Sequence, residues 1–460
     1  MNKKNILKYI LLFFYYFICL NFVYFALRMD SYNNYGFSYG IVTGGVPYKE
    51  LNMIVPLFGP ILYSTLLIIH KSVLVYYFEQ AVLLTILSYL LFKILDKKAW
   101  ITITILFLPV IVPFAYCLYP GYNFLILFEL VLLLYLIDKN KSDKLIGLIA
   151  GISIITKQNI GIFIFIVTLL FVIKNKKKLF NRLLYGIIPI GILFIIILLY
   201  GNLYEFIDLC FLGMGDFIGN SNVNITCLVI TIILMIIITI KFIKDKNKNI
   251  SYYYLLVYLL VVIPLFDLYH FSLFVYFYVI VFLYNSKINI DKKMLPCVSF
   301  VLINVFICIW VVLSWDHFKE YRLYSYKNYE MVLLTKEENK TFKSINKYVK
   351  DKRFKVIGTP SDIIFMIATN NKKLDTYTVY YRGNFGKDGV NNALKDIKNS
   401  KDTYFIVDAN KDKYNREDNQ FLKEVPEYII KNYKCIKKIG NYEIYYRRWI
   451  KWIKKILLNI

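Results

Sequence analysis

Histidine, acidic side chains and paired cysteines are all scarce in this chain, and each scarcity removes a class of chemistry. Three histidines occur in 460 residues, and no Cys-x-x-Cys spacing accompanies them, so no metal-ligand set is legible. Cys19, Cys117, Cys210, Cys227, Cys297 and Cys308 lie in or beside apolar runs, and only Cys435 sits in the polar last third. They read as small core residues rather than a disulfide framework. Acidic residues number 31 against 56 Lys and Arg, a formal charge of +25. In a soluble protein that excess points to nucleic acid. Here the basic residues fall in short clusters between apolar runs, where they orient spanning helices, and nucleic acid drops out as a partner. No small-residue cleavage site follows the basic start and apolar run of residues 1–27, which reads as a retained first span and not a signal peptide.

What abounds is apolar sequence. At 58% hydrophobic with positive mean hydropathy, the chain is too apolar and too long for one soluble core, so membrane lipids are its main solvent. Apolar runs lie at about 5–27, 74–95, 100–117, 122–137, 145–156, 160–173, 179–200, 222–243, 251–269, 271–285 and 294–315. They predict an α-helical polytopic membrane protein of about eleven spans over residues 1–315. The short runs 145–156 and 160–173 flank Thr156-Lys157-Gln158-Asn159 and predict a tight hairpin whose turn is buried by neighbouring helices.

Lysine clusters at Lys3-Lys4, Lys97-Lys98, 139–144, 174–178, 241–248 and 287–293 alternate with loops poorer in Lys and Arg. The clusters, and the N-terminus with them, are therefore expected on the cytoplasmic side of the plasma membrane. Loops 28–73, 118–121, 156–159, 201–221, the turn near 270 and everything after residue 315 then face outward. The first of these, 28–73, is too long for an idle linker. Its second half is broken by Pro56, Gly59 and Pro60 and suits helices lying in the interface better than a span.

From residue 316 the sequence turns polar, and residues 316–446 predict an extracytoplasmic α/β domain. Strands are expected at 354–358, 377–380 and 404–407, helices near 361–369, 389–399 and 417–432, and a closing hairpin of 435–439 with 442–446 around Gly440-Asn441. The segment Tyr381-Arg382-Gly383-Asn384-Phe385-Gly386-Lys387-Asp388-Gly389 lacks both the G-x-G-x-x-G order and a terminal Gly-Lys-Ser/Thr, so it reads as a connecting loop rather than a nucleotide site. The last stretch, 447–460, places Trp449, Trp452, Ile453, Ile456 and Leu457 at helical spacing opposite lysines. That pattern fits an interfacial amphipathic tail or, in the plainer reading, a solvated basic end.

One order of motifs stands out. Leu27-Arg28-Met29-Asp30-Ser31-Tyr32 leaves the first helix; Thr43-Gly44-Gly45-Val46-Pro47-Tyr48-Lys49-Glu50-Leu51-Asn52 follows, then Pro56-Leu57-Phe58-Gly59-Pro60. This resembles the lipid-linked-sugar glycosyltransferases of the GT-C fold, especially the branch with protein O-mannosyltransferases, aminoarabinose transferases and Rgt-type galacturonosyl transferases. A second echo is the Gly-rich helix 147–156 ending in Thr156-Lys157. The resemblance implies an inverting transfer of sugar from a polyprenyl-phosphate donor to a glycan, lipid or protein acceptor at the outer face. It assigns Asp30 the catalytic base and lets Glu50, with Lys49 beside it, position the acceptor or a cation. The adjacent Asp-Glu pair of the mannosyltransferases is missing and no D-x-D is present, so a divalent cation is left open and no metal ligand is assigned.

The residues themselves point the same way. Sugar transfer needs a carboxylate to take the acceptor proton, a step worth roughly 10²–10⁴-fold, and Asp30 lies at the membrane boundary where a lipid phosphate presents its sugar. The departing phosphate wants fixed cations. Lys157, in an apolar hairpin, needs an anion: a lipid phosphate, a carboxylate, or the surface reached by snorkelling. Arg28 is placed to contribute. Asp267 and His270 share one helical face at the end of a span, either to hydrogen-bond donor phosphate or sugar, or as a structural pair. A lipid-linked sugar translocator is the runner-up, and it would call for charges along a mid-membrane path and for repeated broken helices.

Overall fold

The structure, a computed structural model, describes residues 3–22, 29–95, 120–219, 223–245, 249–263, 266–285, 320–326, 329–350, 352–359, 378–401, 403–409 and 421–447. The expected spans at 100–117 and 294–315, Arg28, the helix near 361–369 and the amphipathic tail beyond 447 lie outside these residues. The chain is mostly helical. It runs through α1 Lys3–Phe22, α2 Met29–Val42, α3 Phe58–Ser64, α4 Val73–Ile94, α5 Tyr122–Asp138, α6 Asp143–Thr156, α7 Gln158–Leu170 and α8 Lys176–Tyr200. There follow α9 Leu203–Ile207, a π-helical segment Asp208–Leu212, α10 Met214–Gly219, α11 Ile225–Lys244, α12 Ile250–Tyr258 and α13 Leu268–Tyr284.

Among the described residues, α4, α8 and α11 are long and apolar enough to cross a membrane, and four shorter apolar helices, Ile6–Ile18, Gln158–Leu170, Ile250–Val261 and Leu268–Tyr284, accompany them. Side chains such as Ile195, Leu199, Ile225 and Ile243 on α8 and α11 are exposed, a surface that only lipid solvates without cost. Polar N-caps start several helices: Ser72, Asn175, Asn224 and Asp267 each accept a backbone N–H from the first turn, satisfying a donor that the helix leaves open.

The hairpin expected around 156–159 is present as α6 and α7, with Lys157 alone between them. Gly147 and Gly151, one turn apart on α6, lie so close to the backbone of Arg182 and Gly186 on α8 that neither has room for a Cβ. This is the small-residue seam by which membrane helices approach closely. The far end of the hairpin is tied by buried Arg182, whose Nε lies 2.8 Å from Asp143 Oδ1 and whose guanidinium also donates to the Thr168 carbonyl at 2.9 Å.

Loop 28–73 is not a surface cover alone. It folds as α2, α3 and ordered turns whose Tyr35, Tyr39, Tyr48, Leu51 and Met53 are buried in the main core. Tyr63 donates to Gln80 at 2.6 Å and Thr65 to Glu79 at 3.0 Å, pinning α3 and the turn after it to α4.

The last third carries β1 Tyr321–Tyr326, β2 Tyr329–Thr335, α14 Lys336–Val349, β3 Arg353–Ile357, α15 Gly389–Asn399, β4 Thr403–Asp408, α16 Glu424–Asn432, β5 Tyr433–Ile439 and β6 Tyr442–Arg447. β3, β4, β6 and β5 form a sheet in that order, with β3 and β4 parallel and the rest antiparallel. Period-two alternation sorts its side chains. Val356, Ile406 and Ile444 pack with Phe342 in the core shared with the helical region, while Ile357, Phe405, Val407 and Tyr445 pack under α15 and α16.

Two expectations need correction here, and one stretch gains elements. Residues 378–380 are not a strand; the Asn52 side chain donates to the Val379 carbonyl at 2.8 Å and accepts its N–H at 3.1 Å, taking the groups a ladder would use. Of the helix expected over 417–432, residues 417–420 lie outside the described ones, and within 421–432 the helix runs from Glu424 to Asn432, with Pro426 in its first turn. The stretch after 316, left unassigned by pattern, holds the β1–β2 hairpin and α14, which opens on a reciprocal Thr335–Glu338 capping box.

Candidate functional site

Lys157 caps both hairpin helices in an extended conformation, φ −151° and ψ 102°, which frees its side chain from either helix face. Its Nζ reaches Asn123 Oδ1 at 2.7 Å and lies 5.3 Å from the centre of the Tyr122 ring. Asn123 is buried in the first turn of α5 and is the hub of the cluster. Its amide nitrogen donates to the Tyr269 hydroxyl at 3.2 Å and faces His270 Nε2 at 3.4 Å. His270 Nδ1 is 2.8 Å from Asp267 Oδ2, while Asp267 Oδ1 accepts the His270 backbone N–H at 2.8 Å. With Nδ1–H donating to the carboxylate, Nε2 is left as the acceptor facing Asn123, the tautomer this geometry selects.

The structure thus brings Lys157, Asp267 and His270 into one hydrogen-bonded chain through Asn123. The result is an ammonium, an amide, a phenol and an imidazole held at the end of four helices, with the Asp267 carboxylate acting on Lys157 electrostatically. Further along α5, nearly two turns in, buried Glu129 accepts the Thr156 hydroxyl at 2.6 Å and steadies the residue before Lys157. Such a set offers an anion one cation, the Lys157 ammonium, and a neutral donor, the Tyr269 hydroxyl, the kind of fixed donors a phosphate needs away from water.

The other expected residues are placed differently. Asp30 is the second residue of α2, and its side chain lies outside the description. One turn on, Asn34 packs against Gly121, two residues before Asn123, and Gly121 has no room there for a Cβ. The start of α2 therefore runs beside the cluster. Glu50 does not join it: its Oε2 accepts the Val46 N–H at 2.7 Å and closes its own turn, in which Tyr48 takes φ 66°. Lys49 is exposed on that turn. Among the described residues no group of three or more His, Cys, Asp or Glu side chains is arranged to hold a metal ion.

Loops from several parts of the chain meet at this end of the bundle. Asn202 donates to the Pro47 carbonyl, and Gln158 donates to the Cys210 carbonyl and, at 3.4 Å, to that of Ile54. Asn123, Tyr269, Gln158 and Glu129 escaped the sequence reading as site residues. Glu129 had a signal, a lone carboxylate inside an apolar run; Asn123 had none beyond its place after Pro120-Gly121. No family model, no curated protein and no solved structure matches this chain, so its function is argued from its own geometry and motifs.

Proposed function

We propose that this chain is an integral membrane glycosyltransferase of GT-C type, with about eleven spans, that moves a sugar from a polyprenyl-phosphate donor to a cell-envelope glycan, lipid or protein. The observation that carries this reading is the Lys157–Asn123–His270–Asp267 chain at the bundle end where α2, bearing Asp30, begins. On the lysine alternation that end faces outward, the N-terminus is cytoplasmic and the α/β domain is extracytoplasmic. Asp30 takes the proton of the acceptor hydroxyl as its oxygen bonds to the anomeric carbon. The bond from that carbon to the phosphate oxygen breaks, and the polyprenyl phosphate leaves with the electron pair. Lys157, held by Asn123, meets the charge that grows on it, with the Tyr269 hydroxyl as a neutral donor, a form of fixed-dipole stabilisation that is worth most where water is excluded.

The test is transfer of radiolabelled sugar from a polyprenyl-phosphate donor by purified protein in lipid. Asp30→Asn is expected to lower the rate by roughly 100-fold or more, the size of a general-base contribution. Transfer by that variant at the wild-type rate would overturn the assignment. Movement of the donor across the bilayer without transfer would favour a translocator instead.

A further inference from the structure

The α/β domain is joined to the helical bundle by a dock with an unusual division of labour: carboxylates on one side, backbone N–H groups on the other. Asp208 Oδ1 accepts the Lys387 N–H at 2.9 Å, and Asp216 Oδ2 accepts the Gly383 N–H at 3.0 Å. Arg382 adds a 3.4 Å contact to Asp216. The loop 381–389, glycine-rich yet lacking a phosphate-loop order, thus has its donors turned onto two aspartates of the same chain. Gly386, at φ +68°, and Gly213 pack so closely across the dock that a Cβ at either would collide with the other side. Asn52 closes the dock from the first loop, bonded to both peptide groups of Val379 and accepting from Asn384 Nδ2 at 2.9 Å.

The same two segments hold the neighbour of Lys157. Gln158 is 6% exposed, and its amide nitrogen donates to the carbonyls of Cys210, two residues after Asp208, and Ile54, two residues after Asn52. Cys210 Sγ also lies 3.9 Å from the Met53 carbonyl, binding the two segments to each other. The stretch that begins at Asp208 is π-helical, a conformation that recurs at functional sites.

We infer that the α/β domain positions the Lys157 site: its loop 381–389 holds the Asp208–Asp216 segment and Asn52, and these hold Gln158 and so set where the hairpin presents Lys157. Asp208, Asp216 and Gln158 are positioning residues, not catalytic ones. The claim that this sets binding of a lipid phosphate rests on the function proposed above; the claim that it sets the hairpin does not.

Two readouts on the full chain in nanodiscs separate them. The first is binding of radiolabelled polyprenyl monophosphate. Asp208→Ala with Asp216→Ala is expected to weaken it by about tenfold, as is Gln158→Leu. The triple variant should lose little more, because residues on one path are not additive. Asp208→Asn with Asp216→Asn keeps an acceptor for each N–H and should restore near-wild-type binding, which a general loss of fold would not allow. The second is the rate at which a water-soluble maleimide modifies Lys157→Cys in a Cys435→Ser background. Undocking by the alanine pair should change that rate at least fivefold, and the asparagine pair, which keeps the dock, should leave it unchanged. If the maleimide rate is the same in docked and undocked protein, the inference is overturned. If the rate changes but wild-type protein binds no polyprenyl phosphate, the positioning stands and the proposed function falls.

Discussion

Two junctions at one end of this molecule are built from opposite materials. Around Lys157, side chain meets side chain, and the Asn123 amide joins Lys157 to Tyr269 and His270. At the dock, the aspartates and Asn52 meet main-chain groups of Lys387, Gly383 and Val379. A backbone donor survives nearly any substitution, so the dock depends on the path of the loop more than on its side chains. The Lys157 cluster is the reverse: its properties reside in a few replaceable groups. Rigidity and chemistry are therefore carried by different residues, a division that suits a site whose first contacts need a firm support.

Breaking the loop path should have the largest effect. Gly386→Val forces a β-branched residue to φ +68° and drives its Cβ into the Asp208 carboxylate. The conformational penalty and a lost charge-assisted hydrogen bond together come to about 3 kcal/mol. The expected outcome is a clear drop in the thermal midpoint of the detergent-solubilised protein, with earlier proteolytic release of the α/β domain. A midpoint equal to wild type would mean that the dock does not depend on its glycines.

A middle effect is expected at the hub. Asn123→Leu removes the acceptor of Lys157 and the donor to Tyr269 together, and about 2 kcal/mol of lost polar satisfaction should appear as roughly 30-fold weaker binding of polyprenyl phosphate. Thermal stability should change far less, because leucine fits an apolar helix. If stability falls while binding holds, the cluster is a structural strut.

The smallest effect tests the domain alone. Tyr380 OH donates to Asp396 Oδ2 at 2.8 Å, and burial, then that carboxylate, holds the phenol well above its ordinary pKa. The native state keeps this proton where an unfolded chain loses it, so the contribution is full below pH ~10 and falls as pH rises beyond. Tyr380→Phe should cost about 1 kcal/mol near neutral pH and flatten the decline between about pH 9 and 11, followed by denaturant unfolding. An unchanged slope would show that other groups set the alkaline limit.

How much of this was written in the sequence varies with the range of the interactions. The 156–159 hairpin was legible because apolar runs stop at Thr156 and resume at Ile160, and the closing β5–β6 hairpin was marked by Gly440-Asn441. Period-two patterning also revealed β3 and β4. The strand expected at 377–380 failed because Asn52, more than three hundred residues away, takes the peptide groups of Val379, a long-range competition that local pattern cannot register. For the site, Lys157, Asp267 and His270 stood out as polar residues in apolar surroundings, and the fold joins them. Asn123, which does the joining, looks like any helix-start asparagine until the fourth helix arrives. Glu50 looked free to act, yet its nearest donor was its own turn.

The π-helical segment has one more consequence. Its ring closes from the Gly213 N–H to the Asp208 carbonyl at 2.8 Å, so this stretch fits more residues into a turn than its α-helical neighbours do. Winding the same residues into an ordinary α-helix would instead swing everything beyond it by about 100° around the axis. Asp208 would still face Lys387 while Asp216 turned away from Gly383. The segment works as a phase adjuster between two anchor points.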